Sequence, residues 1–493
     1  MAIQPPSQSN RLELFPDQPL PTVGLVTMFR LGLFQMGLGI MSLLTLGVLN
    51  RIMIDELKIP ALIAAGAIAM HQFVAPARIW FGQLSDTRPI QGYHRTGYVL
   101  LGTLLFTTIS FIALQVIWQL GSSVQATGFG MASYGWAALL GLIFALYGMA
   151  LSASSTPFAA LLLDISDEEN RSKLVSITWS MLMVGIVIGA ILSSKILDQP
   201  EVCGADILTY DAARVGTATT LAQLQTSVTP LFVIVPVIVV TLSIIATWGI
   251  ENRFSRYQLR ISQSEREDKI TLSRALKILT ASRQTGLFFS FLLVMSISLF
   301  MQDAVLEPYG GEVFGMCISE TTQLNAFFGM GTLAGIGASG FLVIPRLGKQ
   351  RTVRLGCLGV AVCLMLFIAA GFAGNPGMLK GALLLFGLAS GVLTAGAINL
   401  MLDLTAVETA GTFIGAWGLA QAIARGLATV SGGAILDLGR WIFTQPVLAY
   451  GTVFVVQAIG MIIAIGLLRR VNVQEFQSDA KAAITNVLES ELD

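Results

Sequence analysis

The sequence predicts an all-α integral membrane protein of about twelve transmembrane helices, arranged as two six-helix halves. Three observations carry this. Apolar residues make up 54% of the chain and charged residues only 12%, too few to cover a water-facing surface. Apolar runs recur along the chain, each near the ~20 residues needed to cross roughly 30 Å of hydrocarbon. One polar, basic stretch divides these runs into two equal sets. Backbone groups in hydrocarbon must be satisfied internally, and the runs lack the alternation of a barrel, so the spans are helices.

In order, a polar, Pro-rich tail occupies residues 1–21, with no basic segment, apolar core and small-residue cleavage site in succession, so no cleaved signal peptide is expected there. The first half, 22–250, holds spans near 24–49, 61–81, 97–119, 134–162, 174–194 and 230–248. Residues 251–284 form the linker, rich in Arg and Lys, whose later part, 270–279, has the spacing of an amphipathic surface helix or of a solvated connection. The second half, 285–469, holds spans near 285–301, 322–344, 355–372, 379–402, 413–436 and 447–468, and a polar tail, 470–493, ends the chain.

Lys and Arg concentrate on the side shared by the linker and both tails, at Arg88, Arg95, Arg171, Lys173, Arg346, Lys349, Arg351, Arg354, Arg469 and Arg470. The opposite side has scattered examples such as Arg51, Lys58 and Arg440. By the positive-inside rule both termini are expected in the cytoplasm. Net charge is zero, and with no long basic stripe there is no reason to expect a nucleic-acid partner.

The two halves echo each other. The stretch around Asp164 and Trp179, joining the fourth and fifth spans, is repeated around Asp403 and Trp417 after the tenth. Between the second and third spans, Gly82, Asp86 and Arg88, followed by Gly92 and Arg95, have a spacing that resembles the loop motif of the major facilitator superfamily. There Gly82 would permit close helix approach, while Asp86 would sit at a helix end and pair with a neighbouring base, a conformational role without covalent chemistry. The matching loop, from Arg346 to Arg354, has no aspartate, so such a latch is expected on one side alone.

Glycine pairs at Gly185/Gly189, Gly331/Gly335, Gly387/Gly391 and Gly411/Gly415 have the spacing that lets helices touch backbone to backbone. The run from Gly335 to Gly340 formally matches a dinucleotide fingerprint, but it sits inside an apolar helix instead of a strand-to-helix turn, so no nucleotide is expected. His71 and His94 are the only histidines, and no metal-spaced His/Cys cluster or phosphate-binding loop occurs, so no enzyme and no metal site is expected. Of four cysteines, Cys357 and Cys363 read as small packing residues, while Cys203 and Cys317 fall on the non-cytoplasmic side, where a disulfide is chemically open.

The most unusual string runs from Met301 to Met316 and contains Gln302, Asp303, Glu307, Pro308, Tyr309, Gly310, Gly311, Glu312 and Phe314. It resembles a signature of the PucC family, also called the bacteriochlorophyll delivery family, of the major facilitator superfamily. The stretches Asn50–Leu57, Gly82–Arg88 and Ala416–Ile423 agree with it. The extra-cytoplasmic loop 195–228 is the main departure.

The resemblance implies an assembly factor for chlorophyll-binding light-harvesting or photosystem complexes in a thylakoid or plasma membrane, with antenna or photosystem subunits and lipid as partners. It also implies chlorophyll or bacteriochlorophyll as a ligand. A chlorophyll needs an apolar groove and one axial ligand to magnesium. Candidate groups are His71, Gln72, Gln302, Asp303, Glu307, Asn325, Asn399 and Gln421, with Arg425 needing a partner or a wet cavity in the eleventh span, a carboxylate of the seventh being one choice. His71 reads equally as a core histidine bonded to a neighbouring helix, and Asp303 and Glu307 as a polar helix end at the membrane edge, where Pro308, Gly310 and Gly311 interrupt the helix. The alternative function is a secondary transporter of a small solute. A proton-coupled one calls for an acid near mid-bilayer, and the acids are expected at span ends.

Overall fold

The computed structural model describes residues 23–166, 168–197, 221–254, 283–403 and 410–471. Helices dominate them, and ten are long and apolar enough to cross a membrane. In chain order the helices are α1 (Leu25–Glu56), α2a (Ala61–Phe73), α2b (Ala77–Thr87), α3 (Thr96–Thr127), α4 (Met131–Ile165), α5 (Glu168–Leu197) and α6 (Leu231–Thr247). They continue as α7a (Arg283–Phe300), α7b (Leu306–Phe314), α8 (Ile318–Ala338), α9 (Lys349–Ala373), α10 (Pro376–Asp403), α11 (Ala410–Ile442) and α12 (Pro446–Arg469). The chain is an integral multi-pass membrane protein. Large apolar side chains point outward along the spans, among them Val237, Leu358 and Ile459, as a lipid-facing surface requires.

Glycine spacing fixes the closest packing. A Cβ on Gly331 or Gly335 would strike the backbone of Leu384 or Leu388 in α10, and one on Gly387 or Gly391 would strike Phe328 or Thr332 in α8. The two helices therefore interlock backbone to backbone. Gly185 meets Met36 in the same way, and Gly189 meets Ile40, which joins α5 to α1. Gly411 and Gly415 lie outside the described side chains, as do Asp403, Trp417, Arg171, the segment 270–279 and Cys203. Gly335 lies within α8 itself, which continues through Ser339–Val343 without a strand, so the fingerprint is part of a helix-packing surface.

Helix-on-helix packing joins the helices before residue 254 to those after 283 at two seams, beside the contacts of α1 with Met301–Phe314. In one, α2a meets α11, with Gly433 against Ala61 and Gly426 against the Phe73 ring. In the other, α5 meets α8, with Gly329 against Val187.

The seventh span ends near Met301 as expected: α7a stops at Phe300, a short 3-10 turn, Met301–Ala304, follows, and α7b begins beyond it. Pro308 does not interrupt α7b. It lies in the helix's first turn, where its missing N–H has no intrahelical acceptor to lose. Gly310 and Gly311 are inside the helix, and Gly315 ends it in the left-handed conformation that glycine adopts without strain (φ 66°).

Candidate functional site

Glu307 lies in the first turn of α7b, seven residues before its end at Phe314. It is 3% exposed. Its Oε1 accepts a hydrogen bond from Asn325 Nδ2 of α8 at 2.5 Å, while Oε2 has no hydrogen-bond partner among the described residues. Gly47 of α1, in a π-helical stretch (Leu43–Val48), leaves the room that Glu307 fills. Glu307 thus faces the first half across the interface, just beyond the apolar span that ends at Ala304.

The helix break itself is held across the interface by Asn50 Nδ2, which donates to the Ala304 carbonyl at 2.7 Å. Gln302 is 2% exposed and gives its amide N–H to Asp303 Oδ1 at 2.8 Å, leaving its own Oε1 without a partner. Asp303 is accessible. Its charge acts on Arg425, whose guanidinium lies 3.9 Å from the centre of the Phe300 ring. The partner sought for Arg425 in the seventh span is therefore an aromatic face plus a nearby carboxylate, with no ion pair between Arg425 and Asp303 within 4 Å among the described residues.

His71 is buried in α2a with both ring nitrogens engaged. Nδ1 bonds to the Ile68 carbonyl at 2.5 Å, and Gln72 Nε2 lies 2.8 Å from Nε2. A carbonyl accepts and an amide N–H donates, so the proton belongs on Nδ1 and the Nε2 lone pair receives Gln72. That lone pair is the one a metal would need. Both partners are on its own helix, so the expected bond to a neighbouring helix is corrected. The Tyr147 ring is the contact from α4, edge-on at 6.3 Å. Asn399 donates to the Ala395 carbonyl one turn back, and Gln421 is half-buried on the same face as Arg425.

At the end of the bundle away from the tails, charged residues that the sequence reading left among scattered examples assemble into a network between the halves. Arg51 pairs with Asp55, lies 3.5 Å from Glu56, and donates to the Met316 carbonyl at 3.1 Å. Gly311 has no side chain because the Arg51 guanidinium occupies that space. Glu312 of α7b takes Arg440 at 2.7 Å, the Tyr450 hydroxyl at 3.1 Å and Lys58 at 3.6 Å. Asp437 of α11 accepts the Ala61 and Leu62 N–H groups at 3.0 and 2.8 Å, capping α2a from the opposite half. The i,i+4 spacing of Arg51 and Asp55 was the local signal available. The Glu312–Arg440 pairing spans the second half and leaves no local trace.

The tail-side motif is a second assembly. Arg95 is buried and bonds to Asp164 at 2.9 Å, Asp86 at 2.6 Å and Ser85 Oγ at 2.6 Å. Burial disfavours its charge, but Asp164 and Asp86 outweigh that and hold its pKa above the ordinary arginine value. Glu251 caps α3 by accepting the N–H groups of His94, Arg95 and Thr96. The turn between them needs Gly92, at φ 85°. Two expectations are refined. Arg88 contributes its carbonyl, which accepts the Tyr98 hydroxyl at 2.8 Å, while its side chain is exposed. Gly82 is not required for close approach, since a Cβ there would meet Thr156 at an ordinary 3.6 Å.

Comparison with known proteins then bears on the whole chain. The family described as PUCC protein matches residues 48–476. The "Bacteriochlorophyll synthase 44.5 kDa chain" of Rhodobacter capsulatus is 31% identical over 454 residues, covering 90% of this chain and 94% of that one. "Protein PucC" of the same organism is 30% identical over 467 residues, covering 92% and 93%. Among solved structures, a bacterial homologue of the human lysosomal transporter Spinster, in an inward-facing, unoccupied conformation, matches at a TM-score of 0.62 and 14% identity, covering 92% of this chain and 98% of that one. The nucleoside transporter NupG matches at 0.60 and 12% identity, covering 90% and 98%. At such identities these two speak for the fold, that of the major facilitator transporters.

Proposed function

From the premise that this chain belongs to the PucC family, we propose that it is a non-enzymatic assembly factor for chlorophyll-binding light-harvesting or photosystem complexes, and that it handles (bacterio)chlorophyll inside the membrane. The observation that carries this is the family match over 48–476, which takes in the string from Met301 to Met316. That string builds the helix break and α7b, the place where the two halves meet around Gln302, Asp303 and Glu307. Both termini are assigned to the cytoplasm on the distribution of Lys and Arg.

The residues at the break fit a magnesium tetrapyrrole through oxygen. Magnesium prefers carboxylate and carbonyl donors, and Asp303 offers an accessible carboxylate beside the partnerless Gln302 Oε1. His71 fits poorly, since its Nε2 lone pair is taken by Gln72. When bound, the pigment would supply light absorption and a metal seeking one axial ligand. The protein's part is to seat the ring among apolar side chains and keep water from it. A second reading, a proton-coupled solute transporter, gains from Glu307, a buried acid between the halves.

Purification of the tagged protein from a photosynthetic host, with an absorption spectrum and identification of co-purifying proteins, tests both. Pigment or antenna subunits at near-stoichiometric amounts are expected, with the pigment reduced by Asp303→Ala in folded protein. Antenna subunits without pigment would reduce the role to scaffolding. Neither pigment nor photosynthetic partners would overturn the assembly reading in favour of transport.

A further inference from the structure

The accessible surface of α11 forms two separate stripes. Ile423, Leu427 and Leu438 form one, wholly apolar and 38–53% exposed, as a lipid-facing stripe should be. Gln421, Arg425 and Thr429 recur at i,i+4 spacing on the other, between buried small residues: Ala422 and Gly426 on one flank, Ala424 and Ala428 on the other. A polar stripe in mid-span, on a different face from the lipid stripe, belongs to an interior cavity. The cavity closes away from the tails, where Gly432 packs against Met301 and Gly433 against Ala61. Arg425 stands just on the tail side of that closure.

An arginine there is costly, and most of its hydrogen-bonding capacity is unspent. Its guanidinium has five N–H donors in a planar fork matched to a carboxylate. Among the described residues its contact is the Phe300 ring at 3.9 Å. Stacking on an aromatic face leaves the fork's edge free for bidentate bonding. Asp303 is near enough for its charge to act on Arg425, and it compensates the charge without filling the fork. Phe73, whose ring meets Gly426, and Phe300 make the surroundings aromatic.

We infer that Arg425, stacked on Phe300 at the closed end of this cavity, is the receptor for the free carboxylate of an apolar, membrane-soluble ligand. Resting on the pigment-handling role proposed above, this makes the preferred ligand the tetrapyrrole acid and not its long-chain ester, because an ester carries no charge to engage the fork. It also sets the ligand's direction, with its acid side toward α11.

The test uses full-length protein in detergent micelles, titrated with chlorophyllide a, chlorophyllide a methyl ester and oleate, each by fluorescence quenching or competition. Losing a charge-assisted bidentate contact corresponds to about a ten- to hundred-fold weaker binding. Chlorophyllide should therefore bind at least about ten-fold more tightly than its methyl ester. Arg425→Gln should abolish that preference while leaving ester binding unchanged, and Arg425→Lys, which keeps the charge but not the fork, should fall between. Arg425→Lys also decides the matter should Arg425→Gln fail to fold. Arg425-dependent binding of oleate without chlorophyllide would uphold the carboxylate site and sink the pigment role. Acid and ester binding equally, or an acid preference that survives both substitutions, would overturn the Arg425 site and leave the pigment role standing. Binding of none of the three would overturn the site as well.

Discussion

Asp164→Asn isolates one charge in the tail-side assembly without changing its shape. Asp164 and Arg95 are each 6% exposed at the side chain and 2.9 Å apart, so the substitution leaves a buried guanidinium short of half its compensation. Removing one partner of a buried pair costs about 3–5 kcal/mol. Asp86 still lies 2.6 Å from Arg95 and Ser85 still accepts from it, but Asp86 is half exposed and screened, so the expected loss is about 2–3 kcal/mol. Heating in micelles reports it with two probes, one in each half: fluorescence of Trp118, 3% exposed, and dye labelling of Cys357, 0% exposed. Both transitions should move down together if the halves unfold as one unit. The double variant Arg95→Met/Asp164→Leu should recover most of the loss, since apolar groups of similar volume replace a buried pair at little cost. A loss below about 0.5 kcal/mol for Asp164→Asn, or strict additivity in the double variant, would refute the assignment of Asp164 as the buried counter-charge.

Gly335→Ala should destabilise by about 2 kcal/mol or more because its Cβ meets the Leu388 backbone, which cannot rotate away. Gly337→Ala, two residues on with nothing within 4 Å, should be neutral or stabilise by up to about 1 kcal/mol; the same melting measurement ranks the two. Glu312→Arg should loosen the packing of α7b on α11 within the second half, and exchange with Arg440→Glu should restore at least about 1 kcal/mol of it in a double-mutant cycle; no coupling would mean the pair contributes nothing. His71→Leu should leave co-purified pigment unchanged, because both ring nitrogens bond within α2a. Colourless but folded protein would show instead that Gln72 gives way to magnesium.

The spans were legible because length and hydropathy act locally: a run such as 355–372 must be a helix in lipid whatever its neighbours do. The α8–α10 interlock was legible for the same reason, since a four-residue glycine spacing defines a bare face before a partner is known. The string after the seventh span misled because Pro308, Gly310 and Gly311 read as a break, whereas proline is at home in a first helical turn and the real interruption, Met301–Ala304, has no breaking residue. What breaks it is tertiary: Asn50 holds the Ala304 carbonyl, and Gly432 packs on Met301. The far-side network was illegible because its members lie far apart in the chain: Glu312 meets Arg440 only when the second half packs, and Lys58 only once the halves dock.

The two kinds of contact differ in how they can be undone. Within a half, α1 and α5 or α8 and α10 meet through backbone atoms at glycine, and no side-chain rotation separates them. Between the halves at the far end, Lys58 and Glu312 form a partly exposed charge pair, which water can replace at a net cost of about 1 kcal/mol or less, beside the closer approach of Gly433 to the Ala61 backbone. The costly buried groups, Glu307 with an oxygen that has no partner among the described residues and Gln302 beside Asp303, lie where the halves meet. Opening that junction would hydrate them and closing it strands them, so a ligand that satisfies Gln302 or Glu307 directly favours whichever arrangement it binds. A pigment handed to a client and a solute carried across a bilayer both require that bias, which is why one fold suits either task and why the identity of the bound group, read at Asp303 and Arg425, decides between them.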